Sequence, residues 1–184
     1  MGLLYLKIMA EENNNRFNNI IKDLKSDDKE KIIVAIKQLR SHGQKEAIAE
    51  ILEVYTQTND QEIKFQLTNL LFDLKSETAI QPLFKAINNP KYKSIQPFLI
   101  SIFWQSSLDV SEHLNTLVKL AVNGDFNVCL EVLTVIENFD TTFDEQDIVD
   151  AVFDIEEVLD DADEVKYKLL LSIKEVISSL AVDY

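Results

Sequence analysis

Apolar residues recur along most of this chain at the spacing of an amphipathic helix. Between residues 63 and 74 they occur at i, i+4, i+7, i+8 and i+11, which places them on one helix face. The pattern predicts about ten helices, at 12–25, 28–41, 45–57, 60–75, 77–88, 92–106, 111–122, 125–138, 144–160 and 163–182. Their short linkers are typical of helices that pack against their neighbours in antiparallel pairs.

Many of the predicted helices also carry start or stop signals. Five begin with a polar residue followed three positions later by glutamate, which is the form of a capping box. These pairs are Asp27/Glu30, Asn59/Glu62, Asp109/Glu112, Thr142/Glu145 and Asp161/Glu164. Gly43 and Gly124 follow helical runs directly, at the position where a left-handed residue is expected.

The helix pattern itself repeats about every 32 residues. Two apolar residues four positions apart occur at 35/39, 67/71 and 99/103, and again at 132/136 after a step of 33. Ten helices therefore group into five amphipathic pairs, and a single pair cannot bury its apolar face alone. Stacked side by side, such pairs share one continuous core, as in a solenoid.

One stretch carries a family resemblance. The matching residues are Asp60-Gln61-Glu62-Ile63-Lys64, Leu67, Leu70-Leu71, Leu74 and Ala79-Ile80, followed by Gln81-Pro82-Leu83-Phe84-Lys85-Ala86-Ile87-Asn88-Asn89-Pro90. They resemble the short HEAT repeats of many bacterial proteins and of HEAT-like bilin lyases. The resemblance extends over residues 28–106 and, less closely, to 138.

The resemblance implies an all-α fold, a right-handed α-α superhelix (solenoid) of about five HEAT-like helix pairs. It also implies a protein-interaction scaffold, and it carries no catalytic residue onto this chain. The family's usual arginine early in the second helix is Lys64 here, so the buried Asp–Arg ladder of such repeats is expected to be absent.

The expected organisation is a single solenoid domain over residues 11–184 with an acidic end repeat at 140–184. An N-terminal segment, 1–10, precedes it and is expected to be disordered or an upstream-start artefact. The reason is that Met9-Ala10-Glu11-Glu12 is the more natural start of translation.

Composition supports the helical interpretation and excludes several classes of protein. Three glycines and three prolines among 184 residues are too few for a β-sandwich or a barrel, and isolated glycines cannot form a phosphate-binding loop. The single cysteine cannot form an internal disulfide, and no apolar run approaches 18 residues. A cytoplasmic protein without a membrane contact is therefore predicted.

The residue types that usually carry chemistry are few and dispersed. His42 and His113 fall in different repeats, and Cys129 lies among apolar residues, which predicts an inert buried thiol. One cysteine and two distant histidines do not supply the usual zinc ligands. We therefore predict no catalytic residue, no cofactor and no metal site.

The net charge of −14 is concentrated at one end of the chain. Residues 140–184 hold fourteen acids and three lysines, whereas residues 1–139 have a net charge of −3. Five acids form one stripe on helix 144–160: Asp147, Asp150, Asp154, Glu157 and Asp161. This acidic stripe is expected to solvate the end of the solenoid or to dock a basic partner. Metal binding is a third alternative, although the neighbouring acidic run lacks the glycine and ligand order of an EF-hand.

A second candidate surface follows the second helices of the pairs. It comprises the aligned positions Lys37, Asn69, Ser101 and Thr134, with Phe72 and Trp104 one turn after two of them. If these helices line the concave face, as the resemblance implies, the polar residues face a groove. The two aromatic residues then either anchor a partner or fill the space between repeats.

The sequence thus favours a non-enzymatic scaffold or adaptor, a monomer whose partner is another protein. One alternative is an acidic inhibitor or immunity-type protein that sequesters a basic partner. Another is a lyase-type accessory protein for a chromophore or protein substrate. Direct binding of nucleic acid is not expected, because a chain of charge −14 with two arginines lacks a basic channel.

Overall fold

The fold is all-α, as predicted. The computed structural model describes residues 2–42, 45–106 and 108–183, and ten α-helices contain most of them. The chain divides into two compact units, one up to Leu74 and one from Lys75.

Unit 1 contains four helices whose apolar faces meet in one core. They are α1 (Gly2–Leu24), α2 (Lys29–His42), α3 (Ala47–Gln57) and α4 (Gln61–Phe72). Helix α1 packs on α2 and α3, and α4 packs on the same two helices. The prediction began the first helix at residue 12, whereas α1 begins at Gly2, so residues 2–10 are helical.

Unit 2 contains six α-helices, and short 3-10 helices precede the first three of them. The α-helices are α5 (Ile80–Ile87), α6 (Gln96–Gln105), α7 (Leu114–Asn123), α8 (Phe126–Glu137), α9 (Glu145–Leu159) and α10 (Glu164–Ser178). The 3-10 helices span Glu77–Ala79, Pro90–Ile95 and Ser111–His113. Helix α8 packs between α6 and α10, and α7 packs on both α8 and α9. Three pairs of next-but-one helices are thus in contact: α6 with α8, α7 with α9, and α8 with α10.

Two short strands, which the sequence did not predict, complete unit 2. Strand β1 (Thr142–Phe143) pairs in parallel with β2 (Ala181–Val182), and the Asp183 N–H donates to the Phe143 carbonyl at 3.0 Å. The last helix was predicted to run to residue 182 but ends at Ser178, so this boundary was wrong. The apolar spacing does continue past residue 178, but the backbone of β1 gives these residues a pairing partner.

Aspartates cap five helices, mostly one or two residues later than predicted. The side chains that accept from first-turn N–H groups are Asp28, Asp60, Asp125, Asp144 and Asp163. The predicted glutamates at α2, α4, α9 and α10 therefore lie at the first or second helical position, where they favour the helix dipole instead of closing a capping box. Asp109 was also predicted to be a cap residue. It accepts from the Ser111 N–H at 2.9 Å, but Val110 is the N-cap of the 3-10 helix Ser111–His113, so Asp109 lies one position too early.

Gly124 differs from the prediction in conformation. Its backbone is extended, with φ −88° and ψ 171°, so a left-handed residue is not required there. A Cβ at this position would lie 2.3 Å from Val128 Cγ1 and 2.7 Å from the Leu120 carbonyl oxygen. Glycine is needed because α7 and α8 leave no room for a side chain. The matching prediction for Gly43 lies outside the described residues.

Lys166, on α10, caps the C-terminal end of α7. Its ammonium, carried by α10 and half-buried, donates to the carbonyls of Val122 at 2.7 Å and Gly124 at 2.9 Å. The last carbonyls of a helix have no partner within that helix and carry its negative dipole end. Lys166 therefore satisfies two such groups and ties α10 to the α7–α8 turn.

A lysine links α2 to the start of α4 in unit 1. Lys29 Nζ lies 2.9 Å from Asp60 Oδ2 and 2.7 Å from Glu62 Oε2. The Lys29 ammonium, together with the N–H groups of Ile63 and Glu62, holds the pKa of Asp60 below its usual value. These groups are exposed, so they align α2 with α4 more than they stabilise the unit.

Candidate functional site

The acidic stripe lies on α9 and the turn after it. Asp147, Asp150, Asp154 and Glu157 are within the helix, whereas Asp161 follows its end. Asp154 is half-buried and the other four are exposed. The predicted spacing therefore does place a row of carboxylates on the surface of unit 2.

Among the described residues, the carboxylates of this stripe have neutral hydrogen-bond donors but no cationic partner. Asp147 Oδ1 accepts from Asn115 Nδ2 at 3.1 Å, and Asp150 Oδ1 accepts from Gln146 Nε2 at 2.7 Å. Within the described ranges no lysine or arginine forms an ion pair with any stripe carboxylate. The nearby lysines pair elsewhere, Lys174 with Glu156 and Lys168 with Glu164. The stripe consequently retains its negative charge.

Two large apolar side chains stand exposed beside the stripe. Val149 is 53% exposed and Phe153 is 56% exposed, while Ala151 and Ile155 of the same helix are buried. Residues four positions apart lie on one ridge of a helix. By the same spacing Glu145 and Glu157 continue this ridge at its two ends, and Asp150 lies beside it. We call these five residues the α9 surface.

The sequence contained the signal for this ridge. Val149 and Phe153 stand four positions apart, off the face formed by Ile148, Val152, Ile155 and Leu159. Adjoining exposed apolar residues mark interaction surfaces more often than single ones do. The sequence analysis followed the carboxylates and did not consider their apolar neighbours.

The second predicted surface is only partly exposed. In unit 1, Lys37 is exposed, and Asn69 and Phe72 are half-buried. In unit 2, Trp104 and Thr134 are half-buried, but Ser101 is only 7% exposed and its hydroxyl donates to the Phe98 carbonyl at 2.8 Å. The expectation that Ser101 faces a groove was therefore wrong. Leu99 through Phe103 are all buried, because α5 and α8 both pack against α6.

Trp104 has a defined partner within unit 2. Its indole N–H donates to Glu131 Oε2 on α8 at 2.8 Å. Thr134, which also lies on α8, donates to the Leu130 carbonyl one turn earlier. Trp104 thus bridges α6 and α8, which agrees with the alternative that this ring fills space between helices.

The groups with potential reactivity are enclosed or scattered. Cys129 is buried, as predicted, and its thiol donates to the Ala121 carbonyl at 3.2 Å. His113 stacks edge-on against Phe84, with ring centroids 4.8 Å apart. In the described part of the chain no three His, Cys, Asp or Glu side chains are grouped so that they could hold a metal ion.

The reactivity of Cys129 gives a direct test of its burial. Burial raises the pKa of this thiol above its ordinary value, although the Lys166 charge partly opposes the shift. We expect iodoacetamide at pH 8 to alkylate the folded protein at least about 100-fold more slowly than the unfolded chain, since the thiolate is the nucleophile. Because the unfolded thiol ionises first, the stability of the wild type should fall relative to Cys129→Ala as the pH rises above about 8.5. Rapid stoichiometric labelling of the folded protein would contradict this assignment.

The fold and the α9 surface together define an all-α protein with an unneutralised acidic helix face. Comparison of the chain with protein-family models, curated proteins and solved structures found no match in any of the three. None of the helices within the described residues has the length and apolar character needed to cross a membrane.

Proposed function

We propose that this chain is a non-enzymatic protein-interaction module whose α9 surface binds a basic partner protein. The observation that carries the proposal is the exposure of Val149 and Phe153 between carboxylates that no lysine or arginine of the described chain neutralises. An aromatic anchor surrounded by charge is the arrangement that gives protein interfaces both affinity and selectivity.

The two parts of the α9 surface have different roles in this proposal. Phe153 is 56% exposed, so burying the rest of its side chain against a partner contributes about 0.8–1.7 kcal/mol, roughly four- to twentyfold in affinity. The carboxylates increase the rate of encounter with a positively charged protein and disfavour acidic ones. A partner with arginines or lysines around an apolar patch fits both requirements.

We infer in addition that the helices of each unit stack as HEAT-like pairs of a solenoid. The 32-residue step of the apolar pattern supports this arrangement, as does the packing of α8 between α6 and α10. Solenoids commonly present extended surfaces to other proteins, which is consistent with an adaptor.

An inhibitor or immunity-type role is the second candidate. The net charge of −11 over residues 140–184 favours it, because such a protein must bind a basic effector tightly. The two candidates differ in outcome: an inhibitor abolishes its partner's activity at one-to-one stoichiometry, whereas an adaptor leaves that activity intact.

The test uses the full chain to purify its partner from the cells that express it, followed by measurement of Kd with the purified partner. We expect Phe153→Ser to weaken binding about tenfold. Phe65→Ser, which alters a phenylalanine that is 62% exposed on α4, is the matched control and should bind like the wild type. Circular dichroism confirms that both variants are folded.

Variants that remove charges from the stripe distinguish electrostatic attraction of the partner from the apolar contact made by Phe153. Changing Asp150→Asn, Asp154→Asn and Glu157→Gln together should slow association and reduce its dependence on salt, because exposed charges act through a screened field. An acidic partner, or a partner bound equally well by the Phe153→Ser variant, would refute the α9 surface as the binding site.

A further inference from the structure

Unit 2 contains an open cleft on a part of its surface that α9 does not contribute to. The cleft has a volume of about 720 Å³ and lies between the end of α5, the 3-10 helix Pro90–Ile95 and α7. Its floor includes the buried residues Ile87, Gln96 and Leu120. Small-molecule sites commonly have volumes of about 300–1,000 Å³ and an apolar floor with a few polar groups.

The charges that line this cleft differ from those of the rest of the protein. Lys93 and Lys119 line it and no carboxylate does, although the chain has 32 acids. Within the described residues neither lysine forms an ion pair. The cleft is thus a positively charged site in an acidic protein.

Gln96 holds one of these lysines in place. Lys93 Nζ donates to Gln96 Oε1 at 2.7 Å, and Gln96 Nε2 donates to the Ile87 carbonyl at 3.0 Å. Gln96 is 7% exposed, so its amide is fixed by the surrounding chain. An ammonium has three N–H groups, so Lys93 keeps donors for a ligand.

The ends of α5 and α7 offer an alternative reason for lysines here, since helix C-termini attract cations. Side-chain amides, however, already occupy carbonyls at these ends. Asn88 Nδ2 donates to the Phe84 carbonyl at 2.9 Å, and Asn123 Nδ2 donates to the Lys119 carbonyl at 2.8 Å. Gln96 takes the Ile87 carbonyl. The lysines are therefore not required to satisfy these carbonyls.

We propose that this cleft binds a small organic anion, a carboxylate or a phosphate ester with an apolar body. Lys93 and Lys119 bind the anionic group, and the apolar body packs on Leu120 and the exposed Pro90. The site is separate from the protein-binding role of α9, so either proposal can fail without the other.

The experiment is an NMR titration of the full chain with four probes, following backbone amides of residues 87–89, 91–93 and 116–123. Benzoate and phenyl phosphate each carry an anion on a ring, benzyl alcohol keeps a ring without charge, and inorganic phosphate keeps the charge without a ring. We expect at least one ring-bearing anion to shift these amides with a Kd at least about tenfold lower than either benzyl alcohol or inorganic phosphate. The stronger of the two then identifies the ligand as a carboxylate or a phosphate ester.

Variants of the two cleft lysines test whether they bind the anionic group. Lys93→Met with Lys119→Met should weaken the ring-bearing anion about tenfold or more, whereas Lys85→Met, on the same unit but not lining the cleft, should leave its Kd unchanged. Lys119→Met alone leaves the Lys93–Gln96 contact intact and should still weaken binding, which guards against a folding defect. The proposal is overturned if neither ring-bearing anion shifts these amides, or if the double variant binds it as tightly as the wild type.

Discussion

Gly124→Ala is expected to lower the free energy of unfolding by about 3 kcal/mol, a large effect for one methyl group. The added Cβ would meet Val128 Cγ1 at 2.3 Å and the Leu120 carbonyl oxygen at 2.7 Å. The carbonyl belongs to the last turn of α7 and cannot rotate away, so α7 and α8 must separate to admit the methyl. Urea denaturation, followed by circular dichroism, measures the loss.

A companion variant distinguishes this cause from the one that the sequence suggested. If Gly124 needed a left-handed backbone, Gly124→Asn would be tolerated better than Gly124→Ala, because asparagine adopts that region more readily. With an extended backbone and no room, the larger asparagine should be at least as destabilising as alanine. Asparagine as the milder replacement would contradict the structure at this turn.

Lys166→Met is expected to cost about 2–3 kcal/mol of unfolding free energy. The variant keeps the apolar stem but removes two charge-assisted hydrogen bonds to the carbonyls of Val122 and Gly124. These carbonyls lie at the negative end of α7, so both the hydrogen bonds and the dipole interaction are lost.

Lys168→Met is the matched control, two positions further along α10. Lys168 pairs with Glu164 on the exposed surface, and such a pair contributes only about 0.3–0.5 kcal/mol. Equal losses for the two variants would show that the contact with α7 contributes nothing beyond a surface charge.

The helices were predictable because their signal is local. The 3.6-residue period of apolar positions located ten helices and their approximate bounds from the sequence alone. For the helix caps, the sequence predicted the type of residue but not its exact position. Where two capping residues adjoin, as in Asp27-Asp28 and Asn59-Asp60, the sequence cannot show which one begins the helix, and in both cases the second one does.

The features that sequence reasoning missed depend on contacts between distant segments. The room at Gly124 is set by the approach of α8 to α7, and the end of α10 is set by pairing with β1. Burial of Ser101 follows from packing on both sides of α6. None of these contacts has a periodic signature in the chain.

The sequence predicted the carboxylates of the candidate site but not its exposed apolar residues. Carboxylates at helical spacing are read directly from the sequence, and α9 bears them as expected. Whether Val149 and Phe153 face the core or the solvent depends on which side of α9 packs against α7 and α10. The fold determines that side, and it leaves both residues outside.

The pairing of β1 with β2 also bears on the order in which unit 2 assembles. It joins Thr142 to Ala181, 39 positions apart, whereas the hydrogen bonds of the helices connect residues four apart. Closing so long a loop costs chain entropy that two residue pairs cannot repay by themselves. We therefore expect the ladder to form only after α9 and α10 have docked, and hydrogen exchange of the Asp183 amide during refolding would measure when it forms.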